Sequence, residues 1–275
     1  MKRRLPLLPA IVLIVFAFFG IAGQYVMPHD PNAMSLWDAY KPPFWQAEGT
    51  LTYPLGTDQM GRDILSRIVG GASISMQVGF VVVVVAGSIG AIMALLAGYL
   101  GGWVDVVIMR VVDVFLSMPT MLIAIVLAAV LGPSKNNLIL VLIVVGWSGY
   151  TRVLRSEVLR IKKGEFINLA IVAGSSKLRI MLVHVLPNMV NTLIVVATLQ
   201  LGLVIITEAT LSFIGVGVPP PDPAWGSMLA DGRAYISSAW WLAFWPGLAI
   251  LLVVMSFNFL GDWLRMRLDP RFRQV

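Results

Sequence analysis

Two histidines, no cysteine and a few carboxylates in apolar surroundings are the groups of this 275-residue chain that could do chemistry. A zinc site draws three or four ligands from cysteine, histidine and carboxylate. His29 and His184 are the sole imidazoles, far apart in sequence and with no thiolate to join them. A metal-dependent enzyme is therefore a poor fit, and a disulfide framework is excluded. What remains is charge placed in oil. Arg110 and Asp113, at i, i+3, and Glu208 each fall inside a long apolar run. Ionisable groups at such depth must face protein or water, so they either neutralise one another or line a polar path. The other concentration of polar and small residues is Gly164–Asn188, GEFINLAIVAGSSKLRIMLVHVLPN, wedged between two apolar spans.

The elements that hold these residues must lie largely in lipid. The chain is 58% hydrophobic and 12% charged, with a mean hydropathy of +0.86, against roughly 25% charged residues in an ordinary soluble domain. An all-α integral membrane protein follows. The net charge of +6 would suggest nucleic acid in a soluble protein; here it raises the question of which side of the bilayer carries the basic residues.

Six spans can be read in order. Leu7–Met27 is uncharged and long enough to cross a hydrocarbon core of about 30 Å; Gly20-Ile-Ala22 makes a cleaved signal peptide the rival reading. Pro28–Gly71, broken by Pro28, Pro31, Pro42, Pro43 and Pro54, reads as an extramembrane loop. Within it, Leu55–Arg67 reads as a short amphipathic helix capped by Thr57 or Asp58, with acid-first pairs Asp58–Arg62 and Asp63–Arg67. Such a helix would lie flat at the interface or help to gate the outer mouth. Ile74–Leu100 is the second span and Val104–Leu131 the third, with a kink expected at Pro119. Leu138–Tyr150 is a fourth that continues helically into Arg152 and Arg155. Met189–Leu211 is the fifth. The Pro-rich loop Gly215–Ile236 contains a short helix from Gly226, and Ala239–Leu260 is the sixth span.

With the N-terminus inside, fourteen of the 20 lysines and arginines fall on the cytoplasmic side and five outside. This excess predicts a multi-pass protein with both termini, and the Gly164–Asn188 segment, in the cytoplasm. No GxxxxGK[ST] phosphate loop is present, so any driving energy must come from another chain.

Within that segment Phe166, Leu169, Ala170 and Ala173 share one helical face, Gly174 suits a left-handed stop, Ser175 or Ser176 can cap a second helix at Lys177, and Pro187 suits the first turn of the next span. A short surface helix of this kind is shaped to sit in a partner's groove.

At these residues the sequence resembles a known family. Glu165, Ala170 and Gly174, followed by His184-Val-Leu-Pro187-Asn188, look like the EAA motif, E-x-x-x-A-A-x-x-x-G, of inner-membrane permeases of binding-protein-dependent ABC importers. Leu169 stands where the first alanine is usual. Pro54–Arg67, Gly101–Thr120, Leu211–Arg233 and Phe257–Arg271 are each similar to the C-type permease of the dipeptide, oligopeptide and nickel group. The resemblance implies a type I ABC importer permease fold, with an N-terminal helix and outer loop (residues 1–72) before a five-helix core (73–275). It implies that residues 164–188 couple to the motor through Glu165, Phe166, Leu169, Ala170, Gly174, Lys177, His184, Pro187 and Asn188. Partners would be a second permease, two cytoplasmic ATPases holding ATP and magnesium, and an external binding protein delivering a peptide. This chain itself would carry no cofactor, metal or catalytic residue, and would bind no nucleic acid. Arg110, Asp113 and Glu208 are pathway candidates, while Asp58, Arg62, Asp63, Arg67, Trp225, Asp231 and Arg233 are candidates for an outer gate or scoop. Nickel chelates, glutathione or another small solute are alternative cargoes. A secondary transporter is a remote alternative, since no internal repeat accompanies Asp113 and Glu208.

Overall fold

The structure, a computed structural model, describes residues 5–268. Its elements are α1 (Leu7–Val26), α2 (Ile64–Leu100), α3 (Gly102–Ser117), α4 (Thr120–Leu131), α5 (Lys135–Lys162), α6 (Glu165–Val172), α7 (Lys177–Arg179), a π-helical turn (Ile180–Val185), α8 (Leu186–Ile214), α9 (Trp225–Gly232) and α10 (Trp241–Leu268). Five helical runs are long and apolar enough to cross a membrane, six if the bent pair α3–α4 counts as one. All regular structure among the described residues is helical apart from one isolated bridge, Thr57 to Asp63.

The centre of the subunit is the parallel pair α2–α5, and small residues on α2 decide how closely the two approach. A Cβ on Gly90 would stand 2.4 Å from the Tyr150 Cβ and 2.9 Å from the Trp147 carbonyl. Only glycine allows this backbone contact, as expected where lipid supplies no hydrophobic drive and van der Waals packing must hold helices together. α8 closes one side of the pair. Ala86, Ala94, Tyr150, Leu154 and Val158 make a core that continues into Ile167, Ala170 and Val185 at the end where α6 lies. At the other end Phe16, Ile68, Trp225, Trp241 and Leu242 bring α1, α2, α9 and α10 together.

Three expectations are corrected. Leu55–Arg67 does not form an interfacial helix: residues 55–63 are turns, and α2 begins at Ile64 with Asp63 as its N-cap, accepting from the amides of Leu65 (3.3 Å) and Ser66 (3.1 Å). The helical spacing was real but belonged to the first turns of a 37-residue helix. The third span is broken rather than kinked. Pro119, with no amide hydrogen to donate and a restricted residue before it, separates α3 from α4 at an angle of 87°. Arg110 and Asp113 do not pair: Asp113 bonds Arg152 of α5, while Arg110 is exposed and makes no ion pair among the described residues. Pro187 stands in the first turn of α8, as expected, and the apolar helical run nevertheless extends back to Lys177.

Candidate functional site

α6 is built to show one face and bury the other. Ile167 (1% exposed) and Ala170 (9%) pack inward beside Ile180, Met181 and Val185, whereas Leu169 (69%) and Val172 (86%) point away from the subunit. Phe166 is also exposed, as are Glu165 and Lys177. The leucine in place of the usual alanine thus enlarges the outer apolar face and crowds nothing within the chain. Glu165 in the first turn lies where the helix dipole favours a carboxylate. The helix ends in a Schellman motif: the Ser175 amide donates to the Ala170 carbonyl and the Gly174 amide to the Ile171 carbonyl, each at 3.0 Å. Gly174 sits at φ +77°, with open space where a side chain would be, so the stop needs its backbone freedom. Ser176 then caps α7 by accepting from the Arg179 amide at 3.3 Å.

His184, Pro187 and Asn188 belong to one local device. Pro187 cannot donate to a carbonyl four residues back and its ring crowds that carbonyl. The chain answers with the π turn, in which the Leu186 amide reaches back five residues to Met181. Asn188 Nδ2 donates to the His184 carbonyl at 2.7 Å. α6 is thereby seated on a widened turn of the run that becomes α8.

The pathway candidates separate. Asp113 (α3) pairs with Arg152 and Asp105 with Arg155, two rungs joining antiparallel α3 and α5. Asp105, Arg152 and Arg155 were not read from sequence as partners; the eight-residue spacing of the two aspartates was the available signal. Glu208 is fully buried between α2 and α8, accepting hydrogen bonds from Ser75 (3.0 Å) and Ser212 (2.9 Å). A polar cleft of about 550 Å³ that no sequence argument singled out lies between α5, α8 and α10, with Glu157, Asn191, Gln200 and Arg265 among its walls. Its signal was the recurrence of amide side chains at helical spacing along an otherwise apolar span.

The residues read from sequence as a gate or scoop do converge. Asp58 accepts from Arg62 Nε at 2.6 Å and from the amides of Met60 and Arg62; Arg67 lies 3.7 Å from the same carboxylate and donates to the Pro31 carbonyl. Asp63 is occupied by its capping role and by Ser66 and His29 rather than by Arg67. Asp231 of α9 borders the same small cavity as Asp58 and Arg67. Trp225 donates its indole N–H to the Ile68 carbonyl at 3.0 Å and meets Phe16 edge-on. Trp241 donates likewise to the Thr57 carbonyl. Arg233 lies over the Phe213 ring. Farther out, hydrogen bonds from Lys41 and then Ser35 hold the Asp38 carboxyl below the usual carboxylate range, while burial pushes Tyr53 up. Among the described residues no cluster of three or more metal-ligating side chains occurs.

Comparison with known proteins fits this geometry. Residues 86–274 match the family described as binding-protein-dependent transport system inner membrane component. The chain is 38% identical to the dipeptide transport system permease protein DppC of Haemophilus influenzae, covering 99% of this chain and 92% of that one. It is 42% identical to the protein of the same name in Escherichia coli K12, over 96% and 88%, and 38% identical to the di/tripeptide transport system permease protein DppC of Pseudomonas aeruginosa, over 96% and 87%. A multi-pass chain with a short helix seated beside its fifth span and one face of that helix exposed, matched over most of its length, belongs to the family of inner-membrane components of binding-protein-dependent transport systems.

Proposed function

We propose that this chain is the membrane-spanning subunit of an ATP-driven importer that carries dipeptides and short oligopeptides inward, with α6 as the element moved by the motor. The observation that carries the reading is the division of α6 into a face buried on the π turn and an exposed face of Phe166, Leu169 and Val172, in a chain alike over nearly its full length to peptide permeases. The positive-inside excess favours cytoplasmic termini and a cytoplasmic α6. ATP and magnesium would then be held by two ATPases docked there, a second permease would complete the passage, and a binding protein would meet the outer cap. Rocking of α6 would reach the passage through the π turn and α8, so Glu165, Phe166, Leu169, Ala170, Gly174 and Lys177 transmit force and catalyse nothing.

The test is uptake of a labelled dipeptide by cells expressing the complete system. Depletion of ATP with the proton gradient intact should stop uptake. Persistence would instead favour a gradient-driven carrier, and ATP-dependent uptake of nickel or glutathione without dipeptide would replace the cargo.

A further inference from the structure

The polar cleft between α5, α8 and α10 is not accounted for by docking or by helix packing. Its volume of about 550 Å³ falls within the ~300–1,000 Å³ usual for small-molecule sites. Along α8 it is lined by Asn188, Asn191, Thr192 and Gln200, groups that offer both donors and acceptors. A peptide main chain carries an N–H and a C=O at every residue, and amide side chains match both without reading the peptide's own side chains. The remaining α8 wall, Val195, Val196 and Leu199, is aliphatic and accepts varied shapes. The charges sit toward the ends of α5 and α10: Glu157 is held by Arg160 at 2.9 Å, and Arg265 borders the cleft from α10. Arginine suits a terminal carboxylate because its planar fork can hold both oxygens.

We infer that this cleft is a transient subsite for the main chain of a short peptide on the cytoplasmic half of the passage, with Asn191 and Gln200 meeting the peptide bond and Arg265 the terminal carboxylate. The inference rests on the peptide-import reading. Asn188 links the site to the motor: it lines the cleft and also donates to the His184 carbonyl in the turn that seats α6. A displacement of α6 therefore changes the cleft, and release of the peptide is tied to the stroke.

The experiment uses the complete complex, with both permeases, the ATPases and the binding protein, in proteoliposomes supplied with ATP and a dipeptide. Wild-type uptake tests the underlying reading separately. Asn191→Leu combined with Gln200→Leu should leave binding-protein-stimulated ATPase activity within about twofold while lowering peptide moved per ATP about tenfold, the effect of two lost hydrogen bonds. Unchanged peptide per ATP in an assembled complex overturns the inference. Because the chain has no cysteine, Asn191→Cys also provides a label unique within this chain that does not depend on the double variant assembling. Its reaction with a water-soluble maleimide should be slowed by dipeptide during turnover. Reaction unaffected by dipeptide, or absence of reaction because another protein or lipid covers the cleft, overturns the inference as well.

Discussion

Glu208 of α8 accepts a hydrogen bond from Ser75 of α2 at 3.0 Å, and Ser212, one turn further along α8, donates a second at 2.9 Å while taking the Val218 amide. This carboxyl is a fastener between two helices and the turn that follows α8. Glu208→Gln preserves its shape and one acceptor, while its amide nitrogen donates to the other serine's oxygen, and it should keep uptake within about twofold of wild type. Glu208→Ala strands the two serines in the interior and should cost ~1–3 kcal/mol, read as a lower Tm of the purified complex. Loss of transport in Glu208→Gln with an unchanged Tm would return the residue to the passage.

Gly174 offers a cleaner probe of docking, because among the described residues nothing beyond its own chain neighbours stands within 4 Å of a Cβ built there. Gly174→Asn, tolerated in left-handed conformations, should leave the permease folded but weaken its association with the ATPases. Gly174→Val adds backbone strain of about 1–2 kcal/mol. Full co-purification of ATPases and normal uptake in the asparagine variant would contradict the docking assignment.

The two faces of α6 should respond oppositely. Leu169→Ser removes exposed apolar surface and should shift subunit stability by no more than ~0.5 kcal/mol, yet lower ATPase co-purification. Ala170→Leu forces a large side chain toward Ile180 and Val185 and should cost ~1–3 kcal/mol by overpacking. Thermal melts of the isolated permease beside pull-down of the ATPases distinguish the two.

At the outer face, Asp58→Ala leaves Arg62 and Arg67 buried without their carboxylate. Breaking a buried pair from one side typically costs ~3–5 kcal/mol, so the variant should fail to accumulate in the membrane. Asp63→Ala loses an N-cap, typically ~0.5–2 kcal/mol, and should accumulate with a reduced Tm. Equal behaviour of the two would refute the separate roles.

How much of this was legible in sequence depends on range. The six apolar stretches, the left-handed stop at Gly174 and the cap at Ser176 follow from local spacing and were readable. Segment 55–63 folds as turns because the helical spacing of Ile64, Leu65 and Ile68 belongs to α2 and does not fix where that helix begins. Asp58 and Arg62 do pair, but across a turn. Asp113 chose Arg152 over Arg110 because α5 lies alongside α3, a tertiary fact that i, i+3 spacing cannot contain. The π turn was also invisible: Pro187 announced a disturbance, and only the backbone shows that it was absorbed N-terminally, with the Asn188 side chain donating to the His184 carbonyl.

The Asp38 contacts in the loop between α1 and α2 should persist until strongly acid conditions. Lys41 and Ser35 lower the Asp38 carboxyl below its ordinary value, about 3.9 when unfolded. Its contribution is therefore complete above that value and is lost as pH falls through the lower folded value. Fluorescence of exposed Trp37, with the other tryptophans replaced by phenylalanine where tolerated, should stay flat above about pH 5. In Lys41→Met the transition should move to higher pH, and an unchanged midpoint would exclude the Lys41 contribution.

The right-angled elbow between α3 and α4 has a further consequence. Ser117 returns one hydrogen bond to the Val114 carbonyl, but a helix end at bilayer depth still presents backbone groups that lipid cannot satisfy. Around it Leu116, Met118 and Leu122 are exposed in the single chain. Oil on one side and bare amide geometry on the other describe a seam rather than an outer wall. The half-finished flank at Ser117–Thr120 is where one chain stops being sufficient, and a second protein or a water-filled lumen must begin.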